Sequence, residues 1–208
     1  FIGGSVAEVF FSSAVDAHRQ GQLKQLVADI HEKLAHFIMP PLVIIVLAGP
    51  DLFSLIFGAE WRLAGEFSRW IAIYIYFQFV TSPLSQLFSV LEKQLQGTLF
   101  QALLLIAQAG GLFVGALYNS LILSVAFFSL GSAVCYFGFL VWIVSVTEND
   151  WSVLWGPTVK ALTWSALLVS PFMLFHIFCE NILFWLSALC FSSALIGYRY
   201  FLIARKSW

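Results

Sequence analysis

Residues 94–147 read QLQGTLFQALLLIAQAGGLFVGALYNSLILSVAFFSLGSAVCYFGFLVWIVSVT, a run of 54 residues without one charged side chain. As a single α-helix this run would be about 80 Å long at 1.5 Å per residue. The hydrocarbon core of a bilayer is only about 30 Å thick. The run must therefore fold back, and its most polar, turn-capable point is Tyr118-Asn119-Ser120. Two membrane-spanning helices are expected, near 96–118 and 121–146.

The rest of the chain agrees with a membrane solvent. Of 208 residues, 61% are hydrophobic, 17% aromatic and only 10% charged, and the mean hydropathy is +0.91. Soluble domains carry about 25% charged residues. The net charge of -1 offers no basic footprint for a nucleic acid. Cys135, Cys179 and Cys190 sit in apolar runs without CxxC spacing, the pattern of buried filler rather than of a disulfide or metal site. The sequence shows no nucleotide loop, HExxH, GxSxG or paired carboxylates, so neither an enzyme, a metal nor a cofactor is expected.

Because charges inside hydrocarbon are costly, charge-free intervals outline the spans. There are 22 uncharged residues between Arg69 and Glu92, 19 between Lys160 and Glu180, and 18 between Glu180 and Arg199. The stretch from His36 to Phe57 is apolar apart from Asp51 and can span if Pro40-Pro41 and Gly49-Pro50 bend it. Residues 1–15 read as the end of another helix. The chain opens on Phe1 without a basic n-region or an A-x-A-like site, which predicts a fragment rather than a signal peptide. The expected fold is all-α, a polytopic transmembrane bundle of about six full spans plus the end of a seventh. Residues 1–146 form a partial bundle, and 147–208 a loop and a terminal transmembrane hairpin. Strict barrel-type alternation is lacking.

Alternation of spans places Arg19, Lys24, Lys33, Lys93, Lys160, Arg199, Arg205 and Lys206 on one face and only Arg62 and Arg69 on the other. Eight basic residues against two makes the first face cytoplasmic. The outer stretch FGAEWRLAGEFSRW (57–70) holds Glu60, Arg62, Glu66 and Arg69 between apolar runs. These form a candidate outer gate, with Arg62, Glu66 and Arg69 on one helix face and able to pair locally. Trp61 and Trp70 suit an interfacial aromatic belt.

Polar residues inside spans must face other helices or a water-filled cavity. Tyr74, Gln78, Ser82, Ser85 and Ser89 recur at spacings of 4, 4, 3 and 4, with Gln86 adjacent, as one stripe. Pro83 deprives the Phe79 carbonyl of its helical partner. Gln101 and Gln108 lie two turns apart in the next helix. Each of these residues either lines a cavity or bonds between helices. Gly111 and Gly115 fit close helix packing. Glu8 is an ionisable candidate near a helix end, and His176 lies near the outer end of its span. Residues 22–36 place Leu23, Leu26, Val27, Ile30 and Leu34 at helical spacing, as an amphipathic helix on the cytoplasmic surface or a soluble connector.

Three stretches carry a resemblance: AEVFFSSAVDAHRQGQL, PPLVIIVLAGPDLFSLIFGAEWRLAGEFSRW and SPLSQLFSVLEKQ. The most specific residues are Phe57, Gly58, Trp61, Ala64, Gly65 and Arg69, followed by Ser82-Pro83-Leu84-Ser85. Over roughly residues 1–120 the chain resembles the C-terminal half of bacterial polysaccharide exporters, the oligosaccharide flippases of the multidrug/oligosaccharidyl-lipid/polysaccharide superfamily. The last two spans match in hydropathy alone. The resemblance implies the C-terminal lobe of a two-bundle transporter in the bacterial inner membrane. It would flip a polyprenyl-diphosphate-linked oligosaccharide by alternating access, together with an N-terminal bundle missing here. Two other readings compete with it. One is a multidrug or other lipid-precursor transporter of the same superfamily, and the other a noncatalytic membrane subunit of a glycan-synthesis complex.

Overall fold

The computed structural model describes residues 2–178 and 197, with side chains for 10–170 and 197. The described elements are helical: α1 (Ile2–Arg19), α2 (Leu23–Phe57), α3 (Arg62–Thr81), α4 (Leu87–Val90), α5 (Gln94–Leu117), α6 (Leu121–Thr147) and α7 (Ser152–Phe178). Short 3-10 turns at Ala59–Trp61 and Pro83–Gln86 flank α3. The expected hairpin is present, with its turn at Tyr118-Asn119-Ser120. Asn119 takes a left-handed φ of 50°, its N–H donates to the Ala116 carbonyl at 2.9 Å, and the Ser120 hydroxyl caps α6 by accepting from Leu123 N.

The same left-handed device closes three other helices. Gly21 (φ 71°), Glu92 (φ 55°) and Glu148 (φ 52°) follow α1, α4 and α6, and the residue after each returns an N–H to Ala17, Phe88 and Val144 respectively. These bonds satisfy carbonyls that the helix end would otherwise orphan. Glycine and asparagine adopt this conformation readily. At the two glutamates the closing bond offsets a local cost of order 1 kcal/mol.

Helix α2 corrects one expectation. The amphipathic segment 22–36 is continuous with the span that follows, forming a single helix of 35 residues, about 52 Å long. Pro40, Pro41 and Pro50 lie within it. Each proline forfeits one backbone bond, while the buried stripe Leu23, Val27, His31, Ala35, Met39 and Leu42 runs on without interruption. Since hydrocarbon accommodates only about 30 Å, the end carrying Lys24, Asp29, Glu32 and Lys33 projects out of it.

The interval between Arg69 and Glu92 gives a second correction, because it is not one straight helix but a bent pair. Helix α3 ends at Thr81, and Ala59–Thr81 meets Pro83–Val90 at a bend of 46°. At the break the Thr81 hydroxyl donates back to the Phe77 carbonyl at 2.8 Å, and Ser82 N donates to Gln78 O at 2.8 Å. Beyond it Pro83, Leu84 and Leu87 are buried. Helix α1 packs over this bend, with Phe10 and Ala14 in the same core cluster. Burial of these side chains stabilises a bend that proline permits.

The long helices stand in the order α5, α6, α3, α2, α7, each packed on the next. Glycines set two of the crossings. A Cβ on Gly111 would fall 2.6 Å from Phe128 N, one on Gly115 would overlap the Ser124 backbone, and one on Gly65 would lie 2.6 Å from Gly49 O. The expected close packing at Gly111 and Gly115 is therefore present.

Among the described residues, α2, α5 and α6 are long and apolar enough to cross a membrane, and the bent pair makes a fourth if it is one span. This is fewer than the six expected. The interval between Lys160 and Glu180 falls on α7, whose side chains are described only to Ser170, and the second arm of the terminal hairpin lies outside the described residues.

Candidate functional site: a polar seam between three helices

Polar side chains from α3, α5 and α6 meet within the apolar row. Gln78 of α3 lies beside the Tyr136 hydroxyl of α6. The Tyr74 ring meets Phe128 edge-on at 5.7 Å. From α5, the Gln108 amide donates to Ser132 Oγ at 3.2 Å, and Ser132 itself donates to the Phe128 carbonyl at 2.7 Å. Gln108 lies about 21 Å along α5, past the middle of that apolar helix. Ser129 Oγ, one turn from Ser132, is buried without a hydrogen-bond partner among the described residues. The seam offers hydrogen bonds and no charged group.

Helical spacing alone groups residues that the bend separates. Tyr74 and Gln78 reach α6 from α3, and Gln108 reaches it from α5. Ser82 and Ser89 are exposed beyond the end of α3, and Ser85 donates to the Ser82 carbonyl at 2.7 Å. Gln86 is half-buried in the 3-10 turn, and Gln101 is exposed on α5. Ser129, Ser132 and Tyr136 were not anticipated, although their spacings of 3 and 4 on α6 carry the same helical signal. Glu8 falls on α1 and His176 on α7, but both side chains lie outside the described residues.

At the turn between α2 and α3, Gly58 leaves α2 at φ 107°, and the Phe53, Phe57 and Trp61 rings meet in succession at tilted angles, 5.7 and 5.5 Å apart. Arg62 does not join Glu66 and Arg69. Its Nη1 instead bonds Asp51 Oδ1 at 2.6 Å across the hairpin, because the tight turn brings the start of α3 back to the end of α2. Arg69 pairs with Glu66 at 3.5 Å and also donates to the Leu47 carbonyl at 2.9 Å. Glu60 is exposed. These contacts describe a clasp. Arg69→Met should lose about 1–2 kcal/mol, since a cross-helix bond to a carbonyl goes with it, whereas Glu66→Gln should lose under about 0.5 kcal/mol. Thermal denaturation of both variants in detergent checks this, and equal losses would count against the Leu47 bond.

The opposite end holds a third polar group. His31 is 1% exposed, and neither ring nitrogen completes a hydrogen bond among the described residues. Burial lowers its pKa to about 4, with the adjacent Leu154 backbone offsetting this weakly. Beside the same helix end, Asn149 donates to Thr147 Oγ1 at 2.8 Å and to the Lys24 carbonyl at 3.3 Å. The Lys24–Asp150 pair, 3.8 Å apart and mostly exposed, adds little. Among the described residues no three His, Cys, Asp or Glu side chains cluster to hold a metal ion. Neither a family model, nor a curated protein, nor a solved structure matches this chain.

Proposed function

We propose that this chain is the C-terminal helical lobe of a bacterial inner-membrane transporter that flips a polyprenyl-diphosphate-linked oligosaccharide by alternating access, working against an N-terminal bundle of the same protein. The observation that carries this reading is the set of polar side chains, Tyr74, Gln78 and Gln108, that meet α6 beside a helix bent at Pro83. Broken helices and buried polar groups near the bilayer midplane are where transporters build substrate sites. An uncharged seam suits a glycan, which is recognised through hydroxyl hydrogen bonds. Replacing Gln78 by leucine in the chromosomal gene should lower surface glycan several-fold at unchanged protein level. Wild-type export from that strain, with export lost in the deletion, would reject the seam as the substrate path. Unimpaired export in the deletion itself would reject the glycan reading.

A second reading, a noncatalytic membrane subunit of a glycan-synthesis complex, draws on the same geometry. Gln108 bonds to Ser132 between α5 and α6, as interhelical packing requires. A multidrug or other lipid-precursor transporter is the remaining alternative. Water access separates them. In a chain without its native cysteines, Gln78→Cys should react with a membrane-impermeant thiol reagent if the seam opens, and stay unreactive if it only joins helices.

A further inference from the structure

The first turn of α7 is set off from the rest of its helix. Pro157 has no N–H to offer the Val153 carbonyl, and Gly156 before it has open space where a Cβ would stand. Residues 152–155 are therefore joined to the remainder across a weakened step, of the kind at which helices bend. Beyond the step α7 is firmly anchored. The Tyr76 hydroxyl of α3 and Thr158 Oγ1 share a hydrogen bond of 2.6 Å, and Ala161, Ser165 and Val169 are fully buried. Before the step the ties are slight. The connector from α6 is held to α2 by the 3.3 Å bond from Asn149 to the Lys24 carbonyl and by the exposed Lys24–Asp150 pair. One hydroxyl bond, from Thr158 to the Leu154 carbonyl at 2.7 Å, crosses the step. Trp151, Ser152 and Trp155 are exposed, so Leu154 is the buried side chain of this turn.

His31 lies against this turn, beside the Leu154 backbone. With both ring nitrogens buried and unbonded among the described residues, an imidazolium there would hold a charge and two N–H donors without a partner. Nothing charged compensates. Asp29, Glu32 and Lys33 of α2, Glu148 and Asp150 of the connector, Lys160 of α7, and Asp16, His18 and Arg19 of α1 are all exposed. Lys24 faces Asp150, His36 bonds the Glu32 carbonyl, and Tyr76 is engaged with Thr158. We propose that residues 148–155 form a flap over His31, hinged at Gly156-Pro157, which swings off α2 and is held open when the ring takes up a proton. Such local opening leaves the rest of the bundle folded. Opening returns the ring to water and to its ordinary pKa of 6.5, against about 4 under the closed flap. Each pH unit below 6.5 therefore raises the open population about tenfold until about pH 4, and the gain between pH 7.5 and pH 5 is about thirtyfold. The inference is independent of whether the protein moves a glycan.

The test is amide hydrogen exchange of the full chain in lipid nanodiscs, read by mass spectrometry and divided by the intrinsic exchange rate at each pH. The amides of Val153, Leu154 and Trp155, bonded to Asp150 and Trp151 carbonyls, report on the flap, and those of 158–170 report on the anchored part. Exchange of the flap amides should rise about thirtyfold from pH 7.5 to pH 5, with 158–170 unchanged. His31→Leu fills the same space without a titrating group and should abolish the rise. Asn149→Ala removes a tie to α2 and leaves the ring in place, so exchange of the flap should increase at both pH values with the ratio between them preserved. Equal rises on the two sides of Pro157 would overturn the proposal, because they report global unfolding. So would the absence of any rise in the wild-type flap, or a rise that persists in a folded His31→Leu protein.

Discussion

Replacing Gly65 by leucine should destabilise the protein by roughly 3 kcal/mol or more, at the upper end of what overpacking costs. The reason is the identity of the atoms in the way. A Cβ at position 65 would lie 2.6 Å from both Gly49 O and Pro50 N. These are backbone atoms of α2, held by a proline, and cannot rotate aside as the tip of a side chain could. The α2–α3 crossing would have to separate, and the Ser68 hydroxyl that donates to the Gly65 carbonyl at 2.7 Å and the Arg69–Leu47 bond would go with it. Gly110→Ala is the control. It meets nothing within 4 Å and should be neutral or stabilising by up to about 1 kcal/mol from helix propensity. Denaturation midpoints in detergent measure both. A Gly65→Leu protein within about 0.5 kcal/mol of wild type would mean that the helices cross more loosely than described.

Acidification should act through His31. Its pKa falls from 6.5 to about 4 in the folded protein, so the fold favours the neutral ring. Stability is fully present above pH 6.5, declines as the pH falls from there towards about 4, and levels off below. The linked loss is about 3 kcal/mol. The group lies outside the hydrocarbon because the exposed, charged Glu32 and Lys33 follow it on α2. No charge dominates the shift, which comes first from burial between α2 and α7. His31→Leu should flatten the difference in stability between about pH 7.5 and pH 4 by that amount. Other titrating groups cancel in the comparison with wild type. An identical pH profile in the variant would show that water reaches the ring in the native state.

The helix contacts of Tyr74, Gln78 and Gln108 were legible because periodicity survives where a helix stays regular. Tyr74 and Gln78 do share a face, and Gln108 does point to a neighbouring helix. The stripe failed from Ser82 onward because Pro83 and the burial of Leu84 and Leu87 under α1 end the regular turn. Arg62 was paired with the wrong carboxylate for a related reason. Spacing within α3 is visible in the sequence, but the proximity of Asp51 is created by the turn at Gly58. His31 was overlooked because a stripe read from Leu23, Leu26, Val27, Ile30 and Leu34 has no place for a polar member.

By itself the sequence determined that the described residues are helical, with stretches apolar and long enough to span a membrane, and that the run 94–147 turns back at Tyr118-Asn119-Ser120. The 54 uncharged residues of that run suffice, since the thickness of hydrocarbon and the cost of burying charge act on composition alone. Only the tertiary structure decided that α2 runs unbroken through three prolines, that the next span bends by 46°, and which polar groups meet. Those outcomes rest on contacts between residues far apart in the chain, Gly49 with Gly65, Gln78 with Tyr136, His31 against Leu154. Local spacing carries no record of such contacts, because each depends on how closely two helix backbones approach.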